Sequence, residues 1–160
     1  MSATATRSVV HDTFVLERSY AASPEKVFAA FADPAKKRRW FVDAGGNHID
    51  SYEQDFREGG FERVRLRFKE GMPVSGLACA TDTLYQAIQP GRTIVFAATM
   101  AIAGRIISAT QVTIELIPDG AGTNMILTHQ AAFFEGSDGP ERRRMGWTHL
   151  LGALAAELAS

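Results

Sequence analysis

His129 is the side chain whose type and position best suit chemistry. In the stretch TNMILTH, residues 123–129, it alternates with Met125 and Leu127 and so shares their strand face. In an apolar site an imidazole can act as general acid or base, because its ordinary pKa lies near neutrality. A core histidine whose ring nitrogens are satisfied by neighbours would have the same pattern. His149, in the last segment, could face it, yet two histidines make neither a triad nor a metal site. His11, His48 and Cys79 are scattered, with no HExxH, CxxC or facial-triad spacing, so no metal is expected. The glycine pairs Gly45-Gly46 and Gly59-Gly60 form no GxGxxG or Walker-type loop ahead of a helix, so no nucleotide or other cofactor is expected either.

Among the charged residues, Asp82 interrupts a run of small and apolar side chains and Glu62 adjoins an arginine-rich face. Either is an exposed strand position or a buried acid paired with an arginine. The basic runs Lys36 to Arg39 and Arg142 to Arg144 read as solvated helix faces, with an acidic partner or an anionic membrane as the second reading.

Strands and three helices must position these groups. Phe14 and Leu16 alternate with Val15 and Glu17, which predicts a first strand over 12–21. Ser23-Pro24-Glu25 is an N-cap followed by proline at the first helical position, and Asp33-Pro34 repeats the signal, so two short helices follow in tandem. Strands are then expected over 49–56, 61–69, 74–88, 93–100, 106–117 and 124–134, separated by Pro or Gly turns. In 61–69, Val64, Leu66 and Phe68 face the core while Arg63, Arg65, Arg67 and Lys69 face water. Trp147, Leu150, Leu151, Leu154 and Leu158 give the stripe of a long final helix over 141–159. Helices and strands are segregated rather than alternating, which indicates α+β.

A twisted antiparallel sheet curves away from a single long helix at its ends and leaves a cavity between them. Small residues such as Ala78, Ala80, Ala97, Ala98, Ala109 and Ala131 enlarge it. Phe61, Tyr85, Phe96 and Phe133 would line its walls, Met100 and Met125 would supply pliable surface, and Trp147, Leu151 and Leu154 would close it from the helix. Trp40 and Phe41, ending the second short helix, either gate the mouth or anchor that helix to the sheet.

The series SPEKVF from Ser23, Asp33-Pro34, Arg39-Trp40-Phe41, Gly59-Gly60-Phe61, TNMILTH and Gly146-Trp147, in this order over 11–158, resembles the domain homologous to the activator of the heat-shock protein 90 ATPase. That domain lies within the superfamily of START lipid-transfer domains and polyketide cyclases (SRPBCC). The resemblance implies a helix-grip, START-like fold: a curved antiparallel sheet of about six to seven strands around a long C-terminal helix, with an internal cavity. One START-like domain is expected over 10–160, after a disordered tail at 1–9. The eukaryotic activators carry a further N-terminal domain for which 160 residues leave no room, so chaperone activation itself is not implied.

Lys plus Arg (17) nearly balance Asp plus Glu (18), which argues against a nucleic-acid partner. No apolar stretch approaches the ~20 residues of a membrane span, and a lone cysteine fits a reducing compartment, so a cytoplasmic location is expected. A homodimer is the default assembly. The expected function is a non-catalytic binding or carrier protein for a small hydrophobic molecule, whether lipid, polyketide-like or aromatic. The alternatives are a cyclase- or hydrolase-type enzyme using His129, and a chaperone- or stress-linked interaction module.

Overall fold

The computed structural model describes residues 8–160. The tail expected over 1–9 falls largely outside the described residues. One seven-stranded antiparallel sheet has the order β1-β7-β6-β5-β4-β3-β2. Its strands are β1 Val10–Tyr20, β2 His48–Gln54, β3 Phe61–Arg67, β4 Ala78–Gln89, β5 Thr93–Ile102, β6 Arg105–Asp119 and β7 Gly122–Phe133. Helix α1 (Pro24–Ala32) and the single turn α2 (Pro34–Lys37) follow β1, and α3 (Gly139–Ala159) closes the chain. This is the helix-grip arrangement implied by the sequence resemblance, with the first and last strands paired and the long helix lying across the sheet.

The tandem helix starts work as their residue types dictate. Ser23 Oγ accepts from the Lys26 N–H at 3.3 Å, and Asp33 Oδ1 accepts from Ala35 and Lys36 at 2.9 and 3.3 Å. After α2 the chain widens into a π-turn, Arg38–Val42, closed by the Asp43 N–H on the Arg38 carbonyl. Trp40 and Val42 of this turn are buried, as is Lys37 at the end of α2, while Phe41 is half-buried.

Alternation fixes which side chains face the helices. On the inner face, Phe14, Leu16 and Tyr20 of β1 are joined by Met125, Leu127, His129 and Phe133 of β7 and by Val112, Ile114 and Leu116 of β6, all buried. α3 is held over them by its stripe of Arg143, Trp147, Leu151, Leu154 and Leu158. Polar ties add to the packing: Tyr20 Oη donates to the Leu151 carbonyl at 3.0 Å and Arg39 forks onto Glu157 at 2.7 and 3.1 Å.

The β2–β3 hairpin depends on both glycines of its turn. Gly59 has φ +80°, where L side chains are strained, and a Cβ at Gly60 would run into the Asp55 carbonyl oxygen. That carbonyl is fixed by accepting the Phe61 N–H at 3.1 Å, so it cannot yield. Gly60→Ala is therefore expected to destabilise the fold by about 1–3 kcal/mol, read as a lowered thermal midpoint. An unchanged midpoint would contradict the close approach.

Candidate functional site

The inner face is sealed along β1, β7 and most of β6 and is less evenly covered toward β2 to β5. Under α3, the inward residues of β1, β7 and β6 are almost all buried. Across β2 to β5 the inner face is mixed: Val64, Cys79, Thr83, Tyr85, Ile94 and Phe96 are buried, whereas Tyr52, Leu66, Thr81, Ala98 and Met100, with Thr110 of β6, are half-buried. α3 packs chiefly on the π-turn, β1 and α1. Half-buried Phe41 and Leu150 pack against the core from the helical side.

At one end of this less evenly covered region lies a buried polar group. Lys37 Nζ donates to both oxygens of Glu62, at 2.9 and 3.2 Å, and the two side chains are 3% and 2% exposed. Tyr52 Oη donates to the same carboxylate at 2.7 Å. The Lys37 ammonium also lies 4.2 Å from the centre of the Phe41 ring. Gln54 Nε2 donates to the Phe31 carbonyl and to Tyr85 Oη, both at 2.8 Å, while its Oε1 is buried without a partner. Burial alone would lower the Lys37 pKa, but the Glu62 charge, with help from Tyr85, outweighs it and raises the value, so Lys37 stays protonated. Burial, reinforced by the Glu62 carboxylate, drives the Tyr52 phenol upward. These bonds tie α1 and the end of α2 to β2, β3 and β4.

At the other end, Arg143 reaches down from α3. Its Nε and Nη2 fork onto Asp138 at 2.9 Å each, and Nη2 also donates to Ser108 Oγ at 2.9 Å. The guanidinium sits 5.2 Å from the centre of the Phe133 ring. His129 lies close by, stacked on Phe14 at 4.4 Å, 1% exposed, with Nδ1 lacking any partner. Burial, with the Arg143 charge second, pushes its pKa down to about 4. A neutral, weakly basic imidazole results, which gives little support to general acid–base chemistry at neutral pH.

The family model for "Activator of Hsp90 ATPase homolog 1-like protein" matches residues 21–159. The chain belongs to this family. No protein of curated function matches it. Among solved structures, Mll3558 of Rhizobium loti is 45% identical, covering 94% of this chain and 99% of its own, with a TM-score of 0.83. A protein of Rhizobium leguminosarum is 33% identical over 97% and 99%, with a TM-score of 0.88. DynU16, from the dynemicin biosynthetic locus, is 20% identical over 93% of this chain and 48% of its own, with a TM-score of 0.63, and shares the fold.

In this Hsp90-activator-like domain, most residues expected to line a cavity do meet around the inner face. Tyr85, Phe96, Met100, Met125, His129 and Phe133 point inward from the sheet, and Trp147, Leu151 and Leu154 face them from α3. Phe61 does not join them: strand parity sends it to the outer face, where Arg63 stacks at 4.0 Å from its ring centre. Trp40 is an anchor, 1% exposed, its indole N–H donating to the Ala30 carbonyl at 2.8 Å. Two open surface depressions, of about 320 and 310 Å³, are lined by Arg39, Trp40, Ala44, Ala153, Ala156 and Glu157, and by residues of β4, β5 and β6 around Ala97 and Ala98. Of the residues expected at the cavity, Trp40 touches the first, and the small residues Ala97, Ala98 and Ala109 touch the second.

Several expectations about charge are corrected. Lys37 and Arg143, read as members of solvated basic faces, are both buried. Glu62 is indeed a buried acid, but its partner is a lysine rather than an arginine. Asp82 is an exposed strand residue in a surface pair with Arg65 at 2.9 Å. His149 is exposed and does not meet His129. Among the described residues no three His, Cys, Asp or Glu side chains converge as metal ligands, and no helix is long and apolar enough to cross a membrane.

Proposed function

We propose that the protein binds or carries a small hydrophobic molecule between α3 and the half-buried part of the inner face. The observation that supports this most is the contrast in burial across one face of one sheet. The inward side chains Phe14, Leu16, Met125 and Leu127 are sealed, whereas the patch Thr81, Ala98, Met100 and Thr110 remains half-buried although it points to the same side and adjoins buried Thr83, Tyr85 and Phe96. Exposed apolar surface on a concave face is costly to leave against water and is the usual lining of an apolar ligand site. The ligand would lie across these small and pliable side chains, with Phe41 and Trp147, whose rings are 5.9 Å apart, at its helical border. Family membership is compatible with this reading. Catalysis by His129 has less behind it, because the ring is buried and held neutral.

A ligand that binds only the folded state raises its stability by mass action. At about 100 times its Kd a straight-chain alcohol or an aromatic probe is expected to raise the melting temperature by about 5 °C or more. A broad panel of apolar probes producing no shift at saturating concentration would count against the reading.

A further inference from the structure

We propose that β1 is the contact between two copies of this chain, pairing with its own counterpart across a two-fold axis at Val15 so that the two sheets run on as one. This goes beyond the ligand reading and does not depend on it. The strand order leaves two edges, β1 and β2. Soluble proteins blunt such edges, because a row of unpaired N–H and C=O groups templates further strands. β2 is blunted: it is 7 residues long and its register shifts between Ile49 and Ser51. No such device protects β1, which runs for 11 residues without proline, glycine or a break in its register against β7. Among the described residues its backbone has no hydrogen-bond partner beyond β7 except Arg18, whose Nη1 donates to the Glu17 carbonyl at 2.7 Å.

The order of side chains along β1 selects the partner. In antiparallel pairing, residues opposite each other point to the same face. A strand that meets its own copy at Val15 therefore places Phe14 opposite Leu16, Thr13 opposite Glu17 and Asp12 opposite Arg18. Phe14 and Leu16 are buried on the inner face, so the apolar row continues across the junction. Asp12 and Arg18 are half-buried, and among the described residues neither makes an ion pair. The two-fold supplies the opposite charge to both, once at each end of the pairing. Moving the axis one residue either way sets Asp12 against Leu16 or Tyr20, so the charges select the register. No unrelated strand is required to carry this order of acid, apolar pair and base, whereas a second copy carries it by construction. Val15, 46% exposed on the outer face, lies on the axis against itself. Joining the two edges closes on the order of ten inter-strand hydrogen bonds, the main source of affinity in strand addition.

Sedimentation velocity at about 50 µM protein and low salt is expected to give a dimer of the 17.4 kDa chain. Asp12→Arg and Arg18→Asp each set like charges opposite one another, and each is expected to raise the dimer dissociation constant about tenfold or more. Mixed in equal amounts, the two variants are expected to associate again as a heterodimer, since each then offers the charge that the other lacks. Val15→Lys, at an exposed position, sets two ammonium groups together on the axis and is expected to give a monomer with the wild-type circular dichroism spectrum. It decides the matter if the charge variants do not fold. Met145→Lys, 60% exposed on α3, is expected to leave the dimer intact. A wild type that is monomeric at this concentration, a dimer indifferent to Val15→Lys or lost in Met145→Lys, or folded charge variants that stay apart when mixed, overturns the pairing.

Discussion

Replacing Glu62 with leucine is expected to lower the unfolding free energy by about 3–5 kcal/mol, because it strands the Lys37 ammonium in the protein interior. The pair is 3% and 2% exposed, so solvent does not screen what is lost. Tyr52 would lose the acceptor of its 2.7 Å hydrogen bond at the same time. In a domain of this size the thermal midpoint should fall by about 10 °C. The double variant Lys37→Met, Glu62→Leu should regain most of the loss, since apolar replacements of similar volume remove both desolvation penalties together. If the single substitution were as mild as the double, the ammonium would have found water and the pair would not tie the end of α2 to β3. The sign with pH follows from the raised Lys37 value: the pair's contribution is present at neutral pH and is lost only as pH rises through the folded-state pKa.

His129 gives stability a slope on the acid side. In the unfolded chain its imidazole takes up a proton near 6.5, whereas in the folded protein burial delays protonation to about 4. Between these values the unfolded state holds more protons, so stability rises with pH. The contribution is complete above 6.5 and is lost as the pH falls through about 4. Its size is about 2–3 kcal/mol between pH 7.5 and pH 4.5. Urea unfolding of the wild type and of His129→Leu at these two values isolates it, because titrating carboxylates contribute equally to both proteins. The variant should lose about that much less stability on acidification. Matching losses in the two proteins would mean that His129 titrates alike folded and unfolded.

Much of the architecture was legible because it rests on local chemistry. Ser23-Pro24 and Asp33-Pro34 cap their own helices, and the alternation of Val64 and Leu66 with Arg63, Arg65 and Arg67 sets the faces of β3 without help from distant residues. The inward direction of His129 followed from the same parity. What stayed hidden depends on pairings between distant segments. Lys37 lies in a run of four basic residues that reads as a wet helix face, and its burial follows from its pairing with Glu62, 25 positions away. Arg143 likewise sits among exposed neighbours, and its burial reflects the stripe it shares with Trp147 and Leu151. For Phe61 the misplacement was one of register. Placing Glu62 on the inner face sends the preceding residue outward, a step that the arginine alternation already contained.

The half-buried part of the inner face is the central claim, and the methionines report on it directly. Met100 is half-buried on that surface, Met125 is sealed beneath α3, and Met145 is 60% exposed on the helix. With the methionine methyls labelled with carbon-13, titration with 1-dodecanol is expected to shift the Met100 resonance saturably while Met145 stays in place and Met125 moves little. A Met100 signal that is unmoved at saturating ligand, or a response confined to Met145, would contradict a ligand site between α3 and strands β2 to β5.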